Sequence, residues 1–178
     1  MEIDRILYPI TSLGPGKRMA MWTIGCDRHC ENCANKELWN ENPRKNISVN
    51  AAFRFIKNIS LNYQIDGFTI TGGEPLRQDR ELFELIKLMN RITNDIIMYT
   101  GYLLKDISKT TMDFLRENIS LLIDGPYIAD LNDNGSTLHY FKQKYITKYK
   151  KYLSEGRKIQ NIFYEQKLIS VGISDKGK

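Results

Sequence analysis

Three cysteines fall within eight residues, Cys26-Asp27-Arg28-His29-Cys30-Glu31-Asn32-Cys33, and the chain of 178 residues has no others. Any fold this chain adopts must present those thiols together on one short segment. Thiolates spaced C-x3-C-x2-C can hold three irons of a cubane cluster and leave the fourth iron open. An electron-transfer cluster normally has four cysteine ligands, so an open iron points to a cluster that binds a substrate. The competing reading is a structural Cys3His zinc site, because zinc favours closed four-coordinate shells of thiolate and imidazole. His29 lies directly before Cys30, a crowded place from which to ligate the same ion, and His139 is more than a hundred residues away. A disulfide framework fails on parity, and the opening Met1-Glu2-Ile3-Asp4-Arg5 lacks the pattern of a secretion signal.

At this length, with 42% hydrophobic residues, one domain is expected, burying roughly 70% of its unfolded surface. There is no apolar run of eighteen residues, so no membrane span is expected, and a reducing cytoplasm is the natural setting. The net charge of +5 is unevenly placed: residues 141–178 hold ten Lys/Arg and three Asp/Glu, and the first 140 hold 16 against 18. The basic character therefore belongs to the C-terminal segment; such a segment can bind nucleic acid or an acidic protein face, and a solvated surface is the commoner reading. Phe141, Tyr145, Tyr149 and Tyr152 fall at helical spacing between its lysines, which argues for a packed aromatic stripe first and a docking surface second.

Along the chain, strands and helices alternate. Residues 19–24 read as a strand running into the cysteine loop, and Ser48 as the N-cap of a helix through Ile59. Further strands are expected at 67–71, 96–100 and 119–123, with helices at 79–91 and 110–117 and a late strand at 167–173. Strands separated by helical stretches imply parallel βα units. The cysteine loop, Thr71-Gly72-Gly73-Glu74-Pro75, Thr100-Gly101-Tyr102 and Asp124-Gly125-Pro126-Tyr127 then all follow strands, at the rim where such folds place their sites. Two glycines before Glu74 would let the backbone approach a ligand closely, and Glu74 would offer a carboxylate to a cationic group. A tight turn before the next helix is the plainer reading, and Asp124-Gly125-Pro126 leans further that way. Gly14-Pro15-Gly16-Lys17-Arg18 reads as a loop, with Lys17 or Arg18 as an anion contact.

The cysteine run followed by Gly72-Gly73-Glu74-Pro75 resembles the radical S-adenosylmethionine superfamily. Gly14 to Arg18, Asn35-Lys36-Glu37-Leu38-Trp39, Tyr99 to Tyr102 and Leu122 to Tyr127 narrow the resemblance to the activating enzymes of anaerobic (class III) ribonucleotide reductase, over roughly residues 5–135. The resemblance implies a single-domain α/β fold, an incomplete parallel (βα) barrel of five or six strands. Residues 1–140 would be its core, and 141–178 a basic, Tyr-rich segment completing or flanking the same domain. It implies that Cys26, Cys30 and Cys33 ligate a [4Fe-4S] cluster whose open iron is chelated by S-adenosylmethionine. Asn32, Cys33, Ala34, Thr71, Gly72, Gly73, Glu74, Thr100 and Asp124 would contact that cofactor. The reduced cluster would cleave the sulfonium to methionine and a 5′-deoxyadenosyl radical, which would take a hydrogen atom from a glycine of the partner. No catalytic group beyond cluster and cofactor is then needed. The implied partners are the large subunit of the anaerobic reductase, or another glycyl-radical enzyme, and a flavodoxin- or ferredoxin-type reductant. The segment Asn134 to His139 departs from the Arg-Gly-Ser-Ser-Asn-Gln-like stretch of the family, which leaves a different glycyl-radical enzyme, a peptide or a small molecule open as the radical acceptor.

Overall fold

The computed structural model describes residues 1–128, 137–156 and 158–172. Strands β1 (Ile3–Ile10), β2 (Arg18–Thr23), β3 (Gly67–Gly72), β4 (Ile96–Tyr99), β5 (Leu121–Asp124) and β6 (Thr137–Tyr140) form one six-stranded sheet in that order. The four central strands, β2 to β5, are parallel. Helices α1 (Val49–Asn62), α2 (Asp79–Met89) and α3 (Lys109–Asn118) make the crossovers between them. The chain is thus a mixed α/β fold built on a parallel-rich sheet.

The expected strands and helices appear at their places, with ends shifted by up to three residues. Ser48 caps α1, its hydroxyl accepting from Ala51 N–H. Both edges of the sheet depart from the parallel expectation. The strand before the cysteines is preceded by another, β1, which pairs with it antiparallel. The connection at residues 11–17 is too short for the crossover that a parallel neighbour needs. At the far edge β6 pairs antiparallel with β5. Helix α4 (Ile146–Ser154) and a separate hairpin of β7 (Ile159–Tyr164) and β8 (Lys167–Gly172) complete the described residues. The altered segment after Asp133 lies outside them up to Gly135-Ser136, and so does the last residue of the strand expected at 167–173.

Side chains alternate across the sheet as the pleat requires. Met19, Met21, Ile96, Met98 and Leu122 face a core closed by Ile56 of α1, Leu82, Leu85 and Ile86 of α2, and Leu115 of α3. On the opposite face Ala20 and Trp22 pack with Leu38 and with Ile162, Ile169 and Val171 of the hairpin, while Ile97, Leu121 and Ile123 are covered by Tyr149 of α4. The aromatic stripe of residues 141–152 is therefore largely packing. Among the described residues no helix is long and apolar enough to cross a membrane.

Arg18 is not an anion contact. Its side chain is 0% exposed, and its guanidinium donates to Thr69 Oγ1 (2.8 Å), Asp95 Oδ1 (3.0 Å) and the carbonyls of Phe68 and Asp95. Asp95, also buried, accepts in turn from Lys148 Nζ (2.8 Å) and from the Tyr149 hydroxyl. A cation removed from water is tolerable only with its partners in place, and taking away one member leaves the other charge uncompensated. Lys17 is held by its backbone N–H, which donates to Asp66 Oδ2 at 2.8 Å. Arg18→Met should lower the free energy of unfolding by about 3–5 kcal/mol, as read by denaturant titration; a loss within error would contradict the role given to this pair.

Candidate functional site

The loops after β2, β3, β4 and β5 emerge at one rim of the sheet, and the cysteines occupy the first of them. That loop is closed at its base. Gly25 N–H donates to Leu38 O (2.8 Å) and Cys26 N–H to Trp39 O (2.9 Å), while Leu38 is buried beside Trp22 and Ile24. Between these ties the chain coils tightly, with His29 and Asn32 both at positive φ. Cys26, Cys30 and Cys33 are each half-buried along it. Cys33 Sγ accepts from Asn35 N–H at 3.4 Å, the kind of contact that tunes a sulfur bound to iron. Burial pushes the Cys26 thiol up. Among the described residues, no three His, Cys, Asp or Glu side chains converge on a single point as one metal ion would require. His29 lies against the Trp39 ring, centroids 4.8 Å apart, and His139 sits 3.3 Å from Asp124 Oδ1. Three partly accessible thiols on one loop are a donor set that fits an iron–sulfur cluster with one iron left for another ligand.

The Gly-Gly-Glu turn is fitted to the base of that loop. Gly73 N–H donates to Thr23 O (2.8 Å) and Glu74 N–H to Gly25 O (2.7 Å). Gly72 has φ +119°, and a Cβ there would stand 2.3 Å from Thr23 N. A Cβ on Gly73 would stand 2.4 Å from Gly25 O. Both distances are impossible for a real side chain, so the glycines are needed first for the contact between two stretches of backbone.

Glu74, expected to offer its carboxylate to a cationic group, lies inside the rim. Its carboxylate is 0% exposed and already serves three donors of this chain: Thr100 Oγ1 (2.8 Å), Leu76 N–H (3.0 Å) and Gly101 N–H (2.7 Å). It binds the end of β3 to the end of β4 rather than reaching into open space. Thr100 is spent on the same contact and on Tyr102 N–H. Asp124, likewise buried, accepts from Leu104 N–H (2.7 Å) and Thr137 N–H (3.0 Å). Thr71 contributes its carbonyl to the Thr23 hydroxyl at 3.3 Å. Asn32 and Ala34 remain exposed within the cysteine loop.

Sequence reasoning missed a second group of rim residues. The Tyr102 hydroxyl donates to Asp27 at 2.8 Å, linking the cysteine loop to the β4 loop. Arg28 lies over the Tyr102 ring at 5.5 Å, its stem filling the space that a Cβ on Gly101 would take. Burial, with the Asp27 carboxylate beside it, pushes the Tyr102 hydroxyl up to about 12. Gln78 donates to Ile24 O (2.8 Å) and Glu2 O (3.1 Å), bracing the strand end from below. Asp27 and Arg28 lay inside the cysteine run and Tyr102 in the rim stretch Thr100-Gly101-Tyr102, though none was singled out as a site residue; Gln78 had no signal of its own.

The pattern of a 4Fe-4S single cluster domain matches residues 12–147. The chain is 34% identical over 138 residues to the anaerobic ribonucleoside-triphosphate reductase-activating protein of Enterobacteria phage T4, covering 74% of this chain and 84% of that one. It is 29% identical over 133 residues to the protein of the same name from Escherichia coli K12, covering 71% and 85%. Among solved structures, QueE from Escherichia coli aligns with a TM-score of 0.47 at 19% identity, over 56% of this chain and 52% of that one.

Two outcomes follow from this geometry. Gly73→Ala should destabilise the fold by about 1–3 kcal/mol and lower the iron retained after reconstitution, measured by thermal melts and iron analysis; full iron content would argue against the joint. Burial raises the Glu74 carboxyl above its ordinary 4.5, against the opposing hydrogen bonds from Leu76, Thr100 and Gly101. Folding therefore favours its protonated form. The resulting stabilisation is complete below pH 4.5 and is lost as pH rises through the folded value. In Glu74→Gln that stretch of the stability–pH curve should flatten, and an unchanged curve would refute the assignment.

Proposed function

The chain belongs to the 4Fe-4S single cluster domain family, among the anaerobic ribonucleoside-triphosphate reductase-activating proteins, and on that premise we propose that it is a radical S-adenosylmethionine enzyme that places a glycyl radical on an anaerobic ribonucleotide reductase. The single observation that carries this reading is the closed loop of three half-buried thiols seated on the Gly-Gly-Glu turn. When bound, the [4Fe-4S] cluster and S-adenosylmethionine supply a one-electron cleavage of the sulfonium that yields a hydrogen-abstracting radical.

The chain's own residues bind and orient. Cys26, Cys30 and Cys33 would hold the cluster, with Asn35 N–H directed at the third sulfur. The backbone at Gly72 and Gly73, with Thr71, Asn32 and Ala34, would line the cofactor. Glu74, Thr100 and Asp124 act one step back, holding the rim loops in register through contacts already satisfied within the chain. This arrangement accounts for a site without a Ser/His/Asp group or a pair of facing carboxylates, since the hard chemistry belongs to the cofactor.

The finer readings belong to the same proposal. The sheet would curl into an incomplete barrel of the radical S-adenosylmethionine type, supported by the parallel order β2 to β5 and the four loops at one rim. Residues 1–140 would carry the cluster half, with 141–178 closing the other face of the same domain. A flavodoxin- or ferredoxin-type protein would supply the electron, in the reducing cytoplasm that an oxygen-sensitive cluster requires.

Anaerobic reconstitution tests the reading. The protein should turn brown, hold iron and sulfide in equal amounts, and cleave S-adenosylmethionine when reduced. Cys26→Ala, Cys30→Ala and Cys33→Ala should each lose both the colour and the cleavage. A colourless protein carrying one zinc, with no cleavage under reduction, would sink it.

A further inference from the structure

Asn35 is fixed from three directions. Its N–H donates to Cys33 Sγ at 3.4 Å, and its carbonyl accepts from Leu38 N–H at 3.0 Å. Its side-chain Oδ1 accepts from the Arg5 guanidinium, also at 3.0 Å. The short turn Lys36–Leu38 that it opens takes no capping bond from this side chain. Two of the three ties are local to the cysteine loop. The third comes from β1, and it is the one that the side chain of Asn35 supplies.

Arg5 is brought there by an irregularity in the sheet. Ile3 stands opposite Thr23 and Arg5 opposite Trp22, so two steps along β1 match one along β2. A bulge of this kind re-aims a side chain. The Arg5 guanidinium lies over the Trp22 ring, 4.8 Å from its centroid, and pairs with the Asp4 carboxylate; Glu37 stands at 3.9 Å. Asp4 offsets the charge of Arg5, so what reaches the cysteine loop is chiefly a directed donor. The side chain is only 13% exposed, and its platform, Trp22, is part of the core that also takes in Leu38. An ion pair near the surface is worth little by itself, and the Asp4 contact accounts for neither the bulge nor the tie to Asn35.

We propose that Arg5 and Asn35 are positioning residues for the third cluster ligand: Arg5 holds Asn35 so that its N–H stays aimed at the Cys33 sulfur, which makes the cluster easier to reduce. The proposal rests on the function proposed above and names the residues that tune how that site accepts its electron. Reduction adds negative charge to a cluster and its sulfurs, so an N–H aimed at sulfur stabilises the reduced form more than the oxidised one. A backbone N–H cannot be deleted by substitution, but its direction can be loosened through the side chain that fixes it. Arg5 lies before residues 12–147, the stretch that the family pattern matches. Its role follows from the bulge and the contacts around it.

The test is a reductive titration of the whole chain, reconstituted anaerobically with iron and sulfide and followed by electron paramagnetic resonance without S-adenosylmethionine. At the wild-type midpoint potential, the ratio of reduced to oxidised cluster should fall by about threefold or more in both Asn35→Ala and Arg5→Met, with iron and sulfide per chain unchanged. The two act through one contact, so the double variant should shift no further than the larger single shift. Arg5→Lys keeps the charge but not the planar fork, and it should shift with Arg5→Met. Where Arg5→Met does not fold, Asn35→Ala carries the same expectation. An unchanged midpoint in Asn35→Ala would overturn the proposal, as would additive shifts in the double variant. A wild-type midpoint in Arg5→Lys would make the effect one of charge, and loss of iron in both single variants would make the pair a prop for the loop; either result also overturns it. A wild-type chain that takes up no iron and sulfide counts against the function itself, independently of the variants.

Discussion

A buried guanidinium holds the sheet in register. Arg18 begins β2, crosses beneath β3 and meets Asp95 just before β4, so that a single side chain spans three neighbouring strands. Asp95 extends the same contact to α4 through Lys148 and Tyr149. The pair sits at the end of the strands away from the cysteines. Its effect on the site is indirect but strict: strand ends that slipped here would carry their loops out of step at the opposite rim. Such a pair contributes little net stability over an apolar alternative, and its value is in admitting only one alignment.

At the rim a second carboxylate does related work with backbone instead of a cation. Glu74 joins the loops after β3 and β4 through Thr100 and Gly101, and the turn that holds it is pressed against the base of the cysteine loop by Gly72 and Gly73. The most recognisable short motif in the chain is therefore a joint first. Its glycines leave no side chain between two strands' ends, and its glutamate completes hydrogen bonds that burial would otherwise leave empty.

The parallel half of the fold was legible because each strand and helix there is long enough to show its period. Leu82, Leu85, Ile86 and Met89 mark α2 plainly, and β2, β3 and β4 read as buried runs. The antiparallel edges were not. β1 mixes Asp4, Arg5 and Tyr8 into a half-covered strand, and β6 is only four residues long and partly exposed. The cysteine loop was visible from composition alone, since only its residue types matter. Which side chains reach the cofactor was less so. Arg18, Glu74 and Asp124 are charged residues at or next to strand ends, close to glycines, and all three are buried. No pattern in the sequence encodes that burial.

The backbone ties at the base of the cysteine loop have a consequence for the order of assembly. Gly25 and Cys26 meet Leu38 and Trp39 through main-chain hydrogen bonds, and of the loop's closing residues Leu38 is the one that enters the core. Everything between is excursion. The sheet and its helices close without help from the thiols, unlike a zinc finger that is unfolded until its metal arrives. The packing of the surrounding scaffold therefore rests on contacts that none of the three thiols makes.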